Sequence, residues 1–128
     1  MRFKLVLGFA IGVVVFSLSA WSHHAHGNYA EKTMDMEGVV TELHVINPHS
    51  WIYIEVTKAD GQKQLWALEG GGASDEKRAH IKKGDKIKTR CHPLRDGSPA
   101  CLLGFVKSPD GTVKDWDAAA SKDLPKDF

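Results

Sequence analysis

The chain lacks the signatures that mark the larger enzyme classes. It has no Gly-x-Ser-x-Gly elbow, no Gly-rich phosphate loop, no His-Glu-x-x-His and no Cys-x-x-Cys. No serine or cysteine comes with an evident base and orienting partner, so catalysis is not expected. Charge of one sign is also missing. The 17 basic residues against 16 acidic ones leave a net charge of +1. A nucleic-acid binder normally carries a clear basic excess, so no nucleic-acid partner is expected. There is no internal repeat and no low-complexity tract. The 128 residues limit the chain to one domain with tails.

Long apolar runs are confined to the start. Residues 1–22 contain 15 hydrophobic side chains, with Arg2 and Lys4 as their only charges. A basic n-region, an apolar stretch from Leu5 to Phe16 and small residues at Ser17, Ser19, Ala20 and Ser22 form the layout of a cleaved signal peptide. The apolar stretch is shorter than the roughly 20 residues that a spanning helix needs, so no stable membrane anchor is expected after cleavage. A cut after Ser22 starts the mature chain at His23-His24-Ala25-His26, and a cut after Ala20 starts it at Trp21. The expected location is periplasmic or secreted. Cysteine is scarce, with Cys91 and Cys101 alone. In an oxidising compartment an even pair reads as a disulfide. The turn-rich stretch between them, centred on Asp96-Gly97, makes it a staple across a β-hairpin, a closed loop worth roughly 3 kcal/mol in the chain-entropy picture.

The remaining chain reads as strands. Glu37 to Ile46 alternates and is β-branched, Asn47-Pro48-His49 turns, and Trp51 to Val56 follows as a second strand. Asp60-Gly61 leads to a third strand, Gln64 to Glu69, which Gly70-Gly71-Gly72 breaks. Ser74 caps a short helix to about Ile81. After the Lys83-Gly84-Asp85 turn, Ile87, Thr89 and Cys91 share one face of a fourth strand. Leu102 to Lys107 is a fifth, and Thr112 to Trp116 a short sixth. Three strands, a helix and two strands is the order of a small, mainly β, OB-like barrel of five to six strands. The expected organisation is a signal at 1–22, a His-rich segment at 23–36, the barrel at 37–116 and a flexible tail at 117–128.

The chemistry-bearing residues are mostly histidines. His23, His24 and His26 beside a free amine would suit Cu(II), Ni(II) or Zn(II), and otherwise form a solvated polar N-terminus. His49 in the first turn and His92 near the fourth-to-fifth strand loop stand where OB loops flank a ligand face. Glu69 is placed to be a ligand or to accept the second N–H of a metal-bound histidine. Met34 and Met36 offer thioethers for Cu(I), or simply pack. Trp51, Tyr53 and Trp66 either line one barrel face, where aromatic rings stack on small ligands, or pack in the core. His44 and His80 are surface candidates.

His23-His24, Gly38-Val39-Val40, Asn47-Pro48-His49-x-Trp51-Ile52-Tyr53, Trp66-x-x-Glu69-Gly70, Lys83-Gly84-Asp85 and Asp96-Gly97-Ser98 together resemble a family of small exported bacterial proteins known as domain of unknown function 6152. The likeness runs from His23 to Val113, and its most specific part is the Asn-Pro-His-x-Trp turn with the His-His pair. It implies a periplasmic single-domain β protein with no assigned activity and no catalytic residues. Asn47, Pro48, Trp51 and Trp66 match the pattern beside His23, His24, His49 and Glu69. His26 and the cysteine pair fall outside it. The functional expectation is a binding module for a transition metal, copper before zinc, through His23, His24, His26 and His49 with Glu69. A structural or interaction protein of the cell envelope is the alternative, and a small organic ligand on an aromatic barrel face a weaker one.

Overall fold

The computed structural model describes residues 25–116 and 127–128. The expected signal segment, His23 and His24 lie outside the described residues, as does the side chain of His26. A 3-10 turn, Ala25–Asn28, precedes β1 (Met34–His44), β2 (Ser50–Thr57), β3 (Lys63–Gly70), α1 (Asp75–His80), β4 (Lys86–Pro93), β5 (Ala100–Lys107) and β6 (Val113–Asp115). The sheet runs β3-β2-β1-β4-β5-β6. It closes where β5 meets β3 in parallel, Ala67 opposite Ala100 and Glu69 opposite Leu102. The later part of β5 pairs with β6. This is an all-β OB-type barrel of five strands with a sixth added, as expected from the strand order. Among the described residues, no helix is long and apolar enough to cross a membrane.

Alternation builds the core. Val40 stands opposite Ile54 and Leu43 opposite Ile52. Ile52 continues to Leu68, and Leu68 to Cys101. Val40, Ile52, Ile54, Leu68, Ile87, Leu103 and Val106 are all buried. Burying such side chains is the main favourable term, roughly 1.5–3 kcal/mol each. A register shift between Val40 and Glu42 marks a bulge in β1. There the Thr41 hydroxyl donates to the Tyr53 carbonyl at 3.2 Å. The bulge bends β1 so that its first half pairs with β4 and its second with β2.

Strand β1 starts at Met34, three residues before the expected boundary, because the Met34-Asp35-Met36 alternation continues the pairing with β4. Met36 is buried and Met34 packs against the core, so the thioethers are packing groups. The strand ends at His44, opposite Trp51, and leaves 45–49 as a loop. Ser74 caps α1, its side chain accepting from the Lys77 amide at 3.2 Å. The expected disulfide is present, joining β4 to β5 at Cys91–Cys101 with both cysteines fully buried.

The triple glycine is a point of close approach. A Cβ on Gly70 would meet the Trp116 ring at 3.1 Å, and one on Gly72 would meet Asn47 Oδ1 at 2.6 Å. Between them, the Gly71 amide donates to the Trp116 carbonyl at 2.7 Å. Trp116 is thereby held, 1% exposed, against the end of the barrel. Lys77 Nζ donates to the Gly72 carbonyl at 2.7 Å and lies 5.3 Å from the Trp116 ring centre.

Replacing both cysteines with alanine is expected to lower the unfolding free energy by about 3 kcal/mol, read from denaturant titration of oxidised protein. A second change should act in the opposite sense. Thr89 is fully buried, and its Oγ1 finds no hydrogen-bond partner among the described residues. Thr89→Val is expected to raise stability by about 1 kcal/mol, by the same titration.

Candidate functional site

The loop 45–49 is held from its far side by the segment after β3. Asn47 Oδ1 accepts from the Ala73 amide at 2.9 Å, and Arg78 Nη2 donates to the Val45 carbonyl at 3.0 Å. The Ser50 amide donates to the Gly71 carbonyl at 3.0 Å. The Asn47–Pro48 peptide is cis. Gly72 admits the Asn47 side chain because it has no Cβ to obstruct it. Asn47 and Pro48 therefore shape the turn that presents His49.

Glu69 lies near the end of β3, between Trp51 of β2 and Leu102 of β5. Its Oε1 is 3.2 Å from His49 Nδ1. Its Oε2 accepts a hydrogen bond from the Tyr29 hydroxyl at 2.6 Å. The Glu69 side chain is only 15% exposed, against 42% for His49. Tyr29 is itself clamped to the β4–β5 loop. It forms a bridge with Leu94, and Arg95 Nε donates to its carbonyl at 3.0 Å. The Ala30 amide donates to the Pro93 carbonyl at 2.8 Å, and the Arg95 amide to the Asn28 carbonyl at 2.9 Å. The chain just after the histidine cluster is thus fixed to the rim where His49 stands. Burial, together with the hydrogen bond to Glu69 and its negative charge, raises the Tyr29 hydroxyl well above its ordinary value of 10.0.

The other expected residues disperse. His92 lies in β4 opposite Leu102, and its Nδ1 is 2.9 Å from the Ala30 carbonyl oxygen, a backbone contact to the leading segment. His44 pairs with Glu42 at 2.5 Å and stands edge-on to the Tyr53 ring. His80 closes α1. Trp66 faces inward opposite Ile54 and packs against the core. Trp51 and Tyr53 take the opposite parity to buried Ile52 and Ile54 and face outward. The three aromatics do not share one face, because Trp66 and Trp51 fall on opposite sides of the pleat. Among the described residues, no group of three His, Cys, Asp or Glu side chains could hold a metal ion. His49 and Glu69 form a two-residue arrangement, and His23, His24 and the His26 side chain lie outside the description.

Tyr29 was not legible as a site residue. The available signal was weak: a single aromatic in the otherwise polar stretch Gly27-Asn28-Tyr29-Ala30-Glu31-Lys32, three residues past His26.

The fold and this rim define an OB-type barrel whose first loop, third strand and leading segment converge on a His-Glu-Tyr contact. The chain belongs to the family described as Family of unknown function (DUF6152), whose pattern matches residues 11–103. No curated protein matches it. Among solved structures, it is similar to the mitochondrial single-stranded DNA-binding protein Rim1 of S. cerevisiae. The TM-score is 0.46 at 12% identity, covering 61% of this chain and 93% of that one. A selenomethionine-labelled form of Rim1 gives 0.44 at 11% identity, covering 60% and 92%.

The elevated Tyr29 hydroxyl fixes the sign of an alkaline effect. Its folded value lies above the unfolded one, so its contribution is complete below pH 10 and is lost as pH rises through the folded value. Tyr29→Phe is expected to cost about 1 kcal/mol at pH 7 and to flatten the loss of stability above pH 10. Thermal melts of both proteins between pH 7 and pH 11 measure this.

Proposed function

We propose that the protein is an exported module, periplasmic or secreted, that binds a transition metal, copper before zinc. His49 supplies one imidazole, and His23, His24 and His26 supply the others. The observation that carries this reading is the 3.2 Å approach of His49 Nδ1 to Glu69 Oε1 in a half-exposed turn. A carboxylate behind one imidazole nitrogen sets the tautomer in which the other nitrogen carries the lone pair that a metal requires. Both Glu69 oxygens are engaged, one by His49 and one by Tyr29. Glu69 therefore serves as the orienting partner rather than a direct ligand. The clamp on Tyr29 supports the reading further, since it fixes the chain a few residues past the histidine cluster to the same rim. Imidazole and amine donors suit Cu(II) ahead of Zn(II) by the usual order of affinity. The disulfide and the apolar, basic-flanked first segment support export.

The second reading is a structural or interaction protein of the cell envelope, favoured by the Asn47 to Ala73 bond, which ties the turn to the segment after β3. An organic ligand on the aromatic face has less support, since Trp66 belongs to the interior.

Isothermal titration of the untagged, processed protein with Cu(II) and Zn(II) separates the readings. Glu69→Gln is expected to weaken Cu(II) binding by about 10–100-fold. His49→Ala is expected to weaken it with little change in melting temperature. A lower melting temperature for His49→Ala with and without metal would support the structural reading. Binding no stronger than that of an unrelated histidine-poor protein would overturn the metal reading.

A further inference from the structure

The outer face of β4 and β5 carries a second organised group of side chains, remote in the pairing from the turn at His49. Lys88 stands opposite Lys107, and Arg90 opposite Phe105, so all four project from adjacent rows of the same face. Asp35 pairs with two of the three cations, Arg90 at 2.7 Å and Lys88 at 3.8 Å. Asp127 and Phe128 cover the group. The Phe128 ring centre lies 5.0 Å from Lys88 Nζ, 5.2 Å from Arg90 Cζ and 6.4 Å from the Phe105 ring centre. Lys107 Nζ donates to the Phe128 carbonyl oxygen at 3.2 Å. Arg90 Nη1 donates to Asp127 Oδ1 at 3.1 Å, and Nη2 to Oδ2 at 3.4 Å.

The receptor side is organised by Asp35 of β1. Arg90 Nε donates to Asp35 Oδ1 at 2.7 Å and Nη2 to Oδ2 at 2.9 Å, so the guanidinium is oriented by a fork that does not involve Asp127. A guanidinium fixed in this way keeps its remaining donors aimed at one place, which gives geometric selectivity for a second carboxylate. The hydrogen bonds from Arg90 hold the carboxyls of Asp35 and Asp127 below the usual carboxylate range. None of the barrel's strand pairings involves residues 127–128, and neither residue belongs to the core cluster. The pair thus sits on the finished barrel as a ligand sits on a receptor. Each of its elements is recognised separately: the acidic side chain by Arg90, the aromatic ring by two cations and the tilted Phe105 ring, the main-chain oxygen by Lys107.

We propose that this β4–β5 face is a peptide-recognition site for an acidic residue followed by an aromatic one, filled in this chain by Asp127-Phe128 and open to the same sequence presented by another polypeptide. Cation–ring attraction and the Arg–carboxylate fork supply the selectivity. Tethering supplies the occupancy, because a covalently linked ligand acts at an effective concentration on the order of millimolar. An external peptide competes only when the internal pair is displaced or removed.

A fluorescently labelled Pro-Lys-Asp-Phe peptide, prepared as free acid and as amide, tests this by anisotropy titration against the whole chain. The Asp127→Ala/Phe128→Ala double variant is expected to bind it at least about tenfold more tightly than the unaltered protein, by removal of the tethered competitor. Phe128→Ala alone is expected to fall between the two and serves as the test if the double variant does not fold. Adding Lys107→Ala to the double variant is expected to reduce the gain, and raising the salt concentration to weaken binding in every case. Equal affinity of the double variant and the unaltered protein would overturn the proposal. Absence of binding by either at millimolar peptide, or equal binding of a scrambled Asp-Pro-Phe-Lys peptide, would overturn it as well.

Discussion

Barrel closure depends on a short parallel pairing in which Ala67, Leu68 and Glu69 of β3 meet Ala100, Cys101 and Leu102 of β5. Every other strand contact among the described residues is antiparallel, and all of them except β1 with β4 join strands consecutive in the chain. The parallel pairing brings the third strand against the fifth, and the geometry of both loop ends follows from it. It buries Leu68 against Cys101, and Cys101 is tied to Cys91 across β4. The disulfide therefore secures the strand that the closure relies on. It also delivers Glu69 to the rim beside the β4–β5 loop, within reach of a tyrosine which that loop holds in place.

The His49–Glu69–Tyr29 contact is assembled from three separate parts of the chain, and each is constrained by something other than the contact itself. The turn carrying His49 is shaped by Asn47 against Ala73 and by the missing Cβ of Gly72. Glu69 is fixed by sheet register. Tyr29 is fixed by its bridge to Leu94 and by the Arg95 guanidinium, which donates to its carbonyl. A carboxylate braced from one side by a hydroxyl and facing an imidazole on the other is a preorganised pair, and that supports its reading as the rigid half of a metal site.

The strand order, the capped helix and the disulfide were legible because each rests on local rules: alternation, a serine at a helix start, two cysteines flanking a turn. His49 and Glu69 were legible as individual candidates, and the structure brings them together. What could not be read was anything set by closure. The outward side of Trp51 and the inward side of Trp66 depend on register, which a parity error of one residue reverses. Loop placement puts His49 and His92 where they could converge, with His92 the weaker candidate of the two, and His92 turns to the Ala30 carbonyl. Tyr29 sits 40 residues from Glu69 and has no periodic context to mark it. Asp127 and Phe128 lay in a stretch expected to be a flexible tail, yet Arg90 and the Phe105 ring hold them, through pairings that no local pattern encodes.

The account turns on whether His49, positioned by Glu69, is a metal ligand. Pulsed electron paramagnetic resonance of the Cu(II)-loaded, processed protein reads the remote nitrogens of coordinated imidazoles directly. Comparison of the unaltered protein with His49→Ala is the decisive measurement. The account predicts that the modulation from one imidazole disappears in the variant while signals from the N-terminal histidines persist. Identical spectra from the two proteins would contradict it.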